Sequence, residues 1–140
     1  MSTAALPTIR PLTQADEAIL WDLLYEAIYV PEGSPRLPRD IVKQPAIAKY
    51  VQDWGRPGDL GIAAVDTGRN AIIGAAWFRL FPEHNPGYGY VDSATPELCI
   101  ALLSEYRGQG IGSRLLTRLL EIAQAKYAAI SLSVDVANPA

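Results

Sequence analysis

Residues 104–116, SEYRGQGIGSRLL, place glycines at 108, 110 and 112 behind Arg107 and ahead of a leucine-rich run. Glycine has no Cβ to hold an anion away from the main chain. A helix N-terminus exposes unpaired N–H groups and about half a unit of positive charge. Phosphate oxygens bind there when the backbone can come close. Arg107 adds a fixed cationic fork. The chemistry these residues predict is pyrophosphate binding by main-chain amides, set against a turn that is glycine-rich for purely structural reasons. Few other side chains are suited to chemistry. Glu97 opens an apolar run and is the candidate general base, with a strand-capping ion pair as the competing role. His84 is the lone histidine, in a loop, where solvation is the ordinary fate. Cys99 is the lone cysteine, expected as a small buried hydrophobe rather than a nucleophile. No histidine–cysteine cluster suggests zinc, and no nucleophilic triad can be assembled.

Two familiar phosphate motifs fail on spacing. A P-loop needs a lysine at the end of its turn, and none stands here. A dinucleotide fingerprint needs a third glycine where this chain has Ser113, and an acid about twenty residues on; Asp135 comes too late.

These residues need a frame to hold them. The chain has 140 residues, is 49% hydrophobic and 19% charged, and carries a net charge of −3. That predicts one globular domain over residues 1–140, with a real core. An acidic chain with pI about 5.1 has no basic field to draw in nucleic acid. A single cysteine excludes an internal disulfide, and a reducing, cytoplasmic setting is the expectation. No signal-peptide core and no run of eighteen apolar residues occur, so neither export nor membrane partnership is expected.

Residues 8–12 read as a strand. Thr13 follows as an N-cap with Asp16 three residues on, and apolar residues at helical spacing predict one helix over 14–29, stopping before Pro31. Pro31, Gly33, Pro35 and Pro38 mark a loop. Residues 39–54 read as helical, broken or bent at Pro45. Strands are expected over 60–65 and 71–81. The turn 66–70 joins them as a hairpin, with Gly68 taking a positive φ. A long loop covers 82–96. The apolar run 98–103 reads as a strand buried on both faces. A second apolar stripe, from Ile111 through Leu115, Leu116, Leu119, Leu120 and Ile122 to Ala123, predicts another helix. Alternation over 130–136 predicts a last strand, joined by a right-handed parallel crossover.

With that order in place, ELCIALLSEYRGQGIGSRLLTRLLEIA resembles the acetyl-CoA signature of the GNAT superfamily of N-acetyltransferases. The pattern Arg/Gln-x-x-Gly-x-Gly/Ala is matched by Arg107-Gly108-Gln109-Gly110-Ile111-Gly112. The resemblance implies an α/β (α+β) fold with a GNAT-like mixed sheet, ordered β-α-α-β-β-β-α-β. It implies that Gly108 to Ser113 hold the pyrophosphate of acetyl-CoA. Ile100, Ala101 and Leu102 would pair with the pantetheine arm between splayed fourth and fifth strands, and Asn138 would contact the same arm. The implied activity is acetyl transfer to a small-molecule or peptide primary amine by direct attack on the thioester. A non-catalytic acyl-CoA-binding module, or an impaired fragment, is the alternative.

The resemblance also implies a further helix and two strands beyond Ala140, with a tyrosine that protonates the leaving thiolate. Without them the last strand has an open edge, which leads to the expectation of a homodimer. For the acceptor side, Tyr25, Tyr29, Trp77, Phe78, Tyr88 and Tyr90 are candidates to floor a pocket that attracts an ammonium group. Trp77 and Phe78 have core packing as the alternative. Glu83 and Asp92 could attract a cation.

Overall fold

A computed structural model describes residues 7–28, 35, 37–56, 58–86, 91–92, 94–103, 106 and 108–127. Strands β1 (Thr8–Pro11), β2 (Leu60–Asp66), β3 (Ala71–Arg79) and β4 (Glu97–Leu102) form one sheet in that spatial order, antiparallel at every step. Helix α1 (Glu17–Ala27) and the segment 39–54, which holds the short helix α2 (Pro45–Ala48), cover one face. Helix α3 (Ile111–Gln124) covers the other. The expected strand over 130–136, its parallel crossover and Tyr29, the last residue of the expected first helix, lie outside the described residues.

Period-two alternation splits the core between the two faces. Ala75, Trp77 and Phe81 pack with Leu20, Leu23 and Leu24 of α1. Ala76, Phe78 and Leu98 pack with Ile111, Leu115 and Leu119 of α3. The stripe on α3 is narrower than its leucine content suggests. Ile111, Leu115, Leu119 and Ala123 are buried at a spacing of four, while Leu120 is exposed.

Two sheet glycines have steric reasons. A Cβ at Gly61 would come within 2.6 Å of both Leu12 Cδ1 and Trp77 Cβ, and one at Gly74 within 2.3 Å of Leu102 Cδ2. The register between β2 and β3 shifts by one after Ala64↔Gly74, so Ile73 has no partner on β2. Ile73 is a bulge residue, and its carbonyl instead accepts from Leu103 N–H at 2.9 Å.

Several local expectations change in the fold. The expected helix over 14–29 is a 3-10 turn (Gln14–Asp16) followed by α1. Asp16 does close the start: its Oδ2 accepts from Thr13 N–H at 2.7 Å, and its carboxylate takes both ends of the Arg10 guanidinium at 3.0 Å. That hydrogen bond from Arg10 holds the Asp16 carboxyl below the usual carboxylate range. The segment 39–54 is broken at Pro45, as its sequence predicts, but residues 49–54 are turns rather than helix. A 3-10 stretch (Arg39–Lys43) ends before Pro45, which takes the first position of α2, where its missing N–H costs nothing. In the hairpin it is Asn70, at φ 50°, that adopts the left-handed conformation rather than Gly68. Asp66 Oδ1 accepts from Gly68 N–H (3.0 Å) and Arg69 N–H (3.3 Å), which sets the turn without a positive φ at the glycine.

The turns after α2 are held by a buried cation. The Arg79 side chain is 1% exposed and its partner Asp59 3%. Nε and Nη2 donate to the two carboxylate oxygens of Asp59 at 2.9 Å. Nη1 donates to the carbonyls of Lys49 and Gln52 at 2.9 and 2.7 Å, and Nη2 to that of Asp53 at 3.3 Å. Removing one member of a buried pair strands the other charge in the interior. Asp59→Ala is therefore expected to lose about 3–5 kcal/mol of stability in denaturant unfolding. Asp22→Ala, which breaks the exposed Arg39–Asp22 pair, should lose about 1 kcal/mol or less.

Candidate active site

The glycine turn stands between β4 and α3. Leu103 N–H donates to Ile73 O, which fixes the pairing phase of β4 on β3. In an antiparallel ladder the main-chain groups of successive residues point alternately to the two edges. Ala101 and Cys99 therefore bond toward β3, while Leu98, Ile100 and Leu102 turn their N–H and C=O groups to the opposite edge of β4. No described strand pairs with that edge. Of the expected Ile100–Ala101–Leu102 trio, Ile100 and Leu102 can thus offer main-chain groups to an extended ligand arm. Ala101 faces the α1 core.

Tyr106 anchors the entry to the turn. Its N–H donates to Leu103 O at 3.0 Å. Its hydroxyl donates to Asp66 Oδ2 at 2.9 Å, and this bond is the main reason the Asp66 carboxyl lies below its ordinary range. Gly108 and Gly110 follow with φ of 78° and 80°, a region that side chains with a Cβ rarely adopt. A Cβ at either would meet no heavy atom of the described residues within 4 Å, so among these residues the space beside both is open. Gly112 has no such φ, and its Cβ would make an ordinary 3.6 Å contact with Leu102 Cδ1. Two of the three glycines are required by conformation.

Gly110 is the N-cap of α3, and among the described residues no side chain caps the helix there. The first helical turn carries no acidic residue either. Ile111 is buried on the sheet and pins the helix start, while Gln109 and Ser113 are exposed. Ser113 borders an open groove with Ile9, Arg114 and Thr117 between β1 and the outer face of α3. This is a cradle of the kind a diphosphate requires: left-handed glycines, open space where Cβ atoms would stand, and first-turn amides without a side-chain cap. Arg107 and Asn138, the other two expected cofactor contacts, lie outside the described residues.

Glu97 sits at the start of β4, opposite Arg79 in the register. It is 3% exposed, buried on the α1 side of the sheet. Its Oε2 accepts a hydrogen bond from Tyr50 Oη at 2.5 Å. The ring of Tyr50 meets Phe81 edge-on at 5.2 Å, and its carbonyl accepts from Trp77 Nε1 at 3.0 Å. Sequence reading missed Tyr50, because a tyrosine 47 positions from Glu97 carries no local sign of its partner.

The acceptor-side candidates separate. Trp77 and Phe78 are core residues on opposite faces of the sheet, so they do not floor one pocket. Tyr25 is buried, and its hydroxyl donates to Leu37 O at 2.6 Å. Tyr88 and Tyr90 lie outside the described residues; Glu83, His84 and Asp92 are exposed. Cys99 is a free cysteine that is partly buried rather than fully buried as expected; desolvation of its thiol pushes the pKa up to about 12, with the charge of Glu97 adding to the shift. A thiol that far above neutrality supplies almost no thiolate. Cys99 is expected to resist Ellman's reagent at pH 7.5 in the folded protein and to react once guanidinium unfolds it.

The chain's likeness to known proteins agrees with this geometry. The family model described as "Acetyltransferase (GNAT) family" matches residues 21–140. No curated protein sequence matches the chain. Among solved structures, a GCN5-related N-acetyltransferase from Ralstonia eutropha JMP134 is 17% identical with a TM-score of 0.65, over 93% of this chain and 84% of that one. A possible acetyltransferase from Clostridium difficile 630 is 15% identical with a TM-score of 0.61, over 96% and 84%. A ribosomal-protein-alanine N-acetyltransferase from Brucella melitensis biovar Abortus 2308 is 19% identical with a TM-score of 0.54, over 92% and 81%. At these identities the structures speak for the fold. The family match over most of the length, joined to the strand–glycine turn–helix cradle, makes this chain a member of the GNAT acetyltransferase family.

Proposed function

We propose that the protein transfers an acetyl group from acetyl-CoA to a primary amine. The observation that carries this reading is the start of α3, where, among the described residues, Gly108 and Gly110 leave open space beside amides that no side chain caps. Bound acetyl-CoA would supply an acetyl group activated as a thioester. The amides from Gly108 to Ser113 would hold its diphosphate. The edge-facing groups of Ile100 and Leu102 would pair with its extended arm and so bring the acyl end alongside β4. Glu97 would take the proton released as the amine attacks. Direct attack fits the nucleophiles at hand, since the Cys99 thiol is held protonated and is unsuited to form an acyl-enzyme.

The burial of Glu97 and its bond to Tyr50 also suit a second reading, in which the domain binds acyl-CoA without turning it over. A panel of amines separates the two. It should include a polyamine, a peptide with N-terminal alanine and the aminoglycoside sisomicin. The last two follow solved relatives: the alanine N-acetyltransferase already described, and an aminoglycoside acetyltransferase from a soil metagenomic sample in complex with sisomicin. Release of free thiol with one of these amines supports transfer. Binding of coenzyme A with no release from any of them supports the module.

Two outcomes test the cradle itself. Coenzyme A at about a hundred times its dissociation constant should stabilise the fold by about 2.7 kcal/mol, read as a thermal shift; no shift counts against the reading. Gly110→Val forces a β-branched residue into a left-handed conformation, at about 1–2 kcal/mol, and fills the open space. Calorimetry should show coenzyme A affinity reduced at least about tenfold.

A further inference from the structure

We propose that Tyr50 is a positioning residue for the reaction, holding the Glu97 carboxylate in the orientation from which it takes the amine's proton. The inference rests on the reading of Glu97 as the base. Tyr50 Oη donates directly to Glu97 Oε2. Both residues are buried, Tyr50 at 8% exposed and Glu97 at 3%, so bulk water does not compete for the bond.

The phenol is fixed from several sides, and nearly all of its supports come from β3. Trp77 Nε1 donates to the Tyr50 carbonyl. Arg79 Nη1 donates to the carbonyls of Lys49 and Gln52, one residue before Tyr50 and two after it. Phe81, just past β3, packs against the ring. Glu97 lies on the neighbouring strand directly opposite Arg79. The acceptor of the bond and the backbone that carries its donor are therefore built on one rigid strand pair. A carboxylate so held has little rotamer freedom left to spend at the moment of reaction.

Tyr50→Phe removes only the hydroxyl and keeps the ring against Phe81, so the variant should fold, with coenzyme A affinity close to that of the unaltered protein and a melting temperature lowered by the loss of a donor to a buried carboxylate. With the amine that turns over, its kcat should fall roughly tenfold while the KM for the amine changes less than about twofold. Glu97→Gln should lose transfer to a greater extent, and adding Tyr50→Phe to it should cause no further loss, because the phenol acts only through the carboxylate. Retention of full kcat by Tyr50→Phe, or additive losses in the double variant, would overturn the proposal while leaving Glu97 as the base. Full activity in Glu97→Gln, or no turnover with any amine, would instead remove the base assignment, and this inference with it.

Discussion

A single guanidinium organises one half of this molecule. Arg79 stands at the end of β3, where strand alternation points it into the α1-side core among aromatic residues. A cation there is tolerable only if every donor is satisfied. Asp59 takes two of the five hydrogen bonds, and the carbonyls of Lys49, Gln52 and Asp53 take the rest. The chain after α2 must therefore wrap around the side chain, and it does so through turns in which Asp53 adopts φ 60° and Gly55 φ 110°. Asp59 closes the wrap by accepting from the N–H groups of Gly55 and Arg56 at 3.0 and 2.9 Å. Such a network contributes through satisfaction as much as through charge: complete, it fixes one path of the chain, and any missing member leaves a buried polar group without its partner.

That wrap delivers Tyr50 to Glu97. On the opposite side of the same sheet, a different device keeps the start of α3 open. Ile111 and Leu115 anchor the helix in the core, and Tyr106 ties the turn to Asp66 in the β2–β3 hairpin. Between these anchors the two left-handed glycines leave room beside the helix's first amides. The two halves of the site thus follow opposite rules. Polar groups around Glu97 are already engaged inside the protein. At the start of α3, among the described residues, no side chain caps the first amides, and main chain held by two anchors needs little rearrangement to bind an anion. β4 joins the halves, carrying Glu97 on its α1 face and the edge-facing Ile100 and Leu102 beside the turn.

Much of the local structure around the candidate cofactor site was legible in the chain, because its determinants are local. Glycine spacing, an apolar run before it and a four-residue apolar stripe after it lie within about thirty residues. Each acts on the backbone near itself. The hairpin was legible for the same reason, though not its interior: a side-chain bond from Asp66 shaped the turn, so Gly68 was not needed at positive φ and Asn70 took that role. Register escaped sequence reading as well. The bulge at Ile73 answers the pairing demands of two neighbouring strands at once, and neither demand is written in the residues around 73. Leu120 matched the helical stripe and lies exposed because the sheet meets α3 along a narrow ridge.

The sequence by itself determined which segments extend, which coil, and where a phosphate could approach a helix, since those properties arise from φ preferences and periodicity over a few neighbouring residues. Only the tertiary structure decided that Arg79 would be buried against Asp59, that Tyr50 would meet Glu97, and that Trp77 and Phe78 would part to opposite faces. These are contacts between residues tens of positions apart. Their energy comes from exclusion of water and completion of hydrogen bonds, and neither exists until the sheet and its two covering layers have closed.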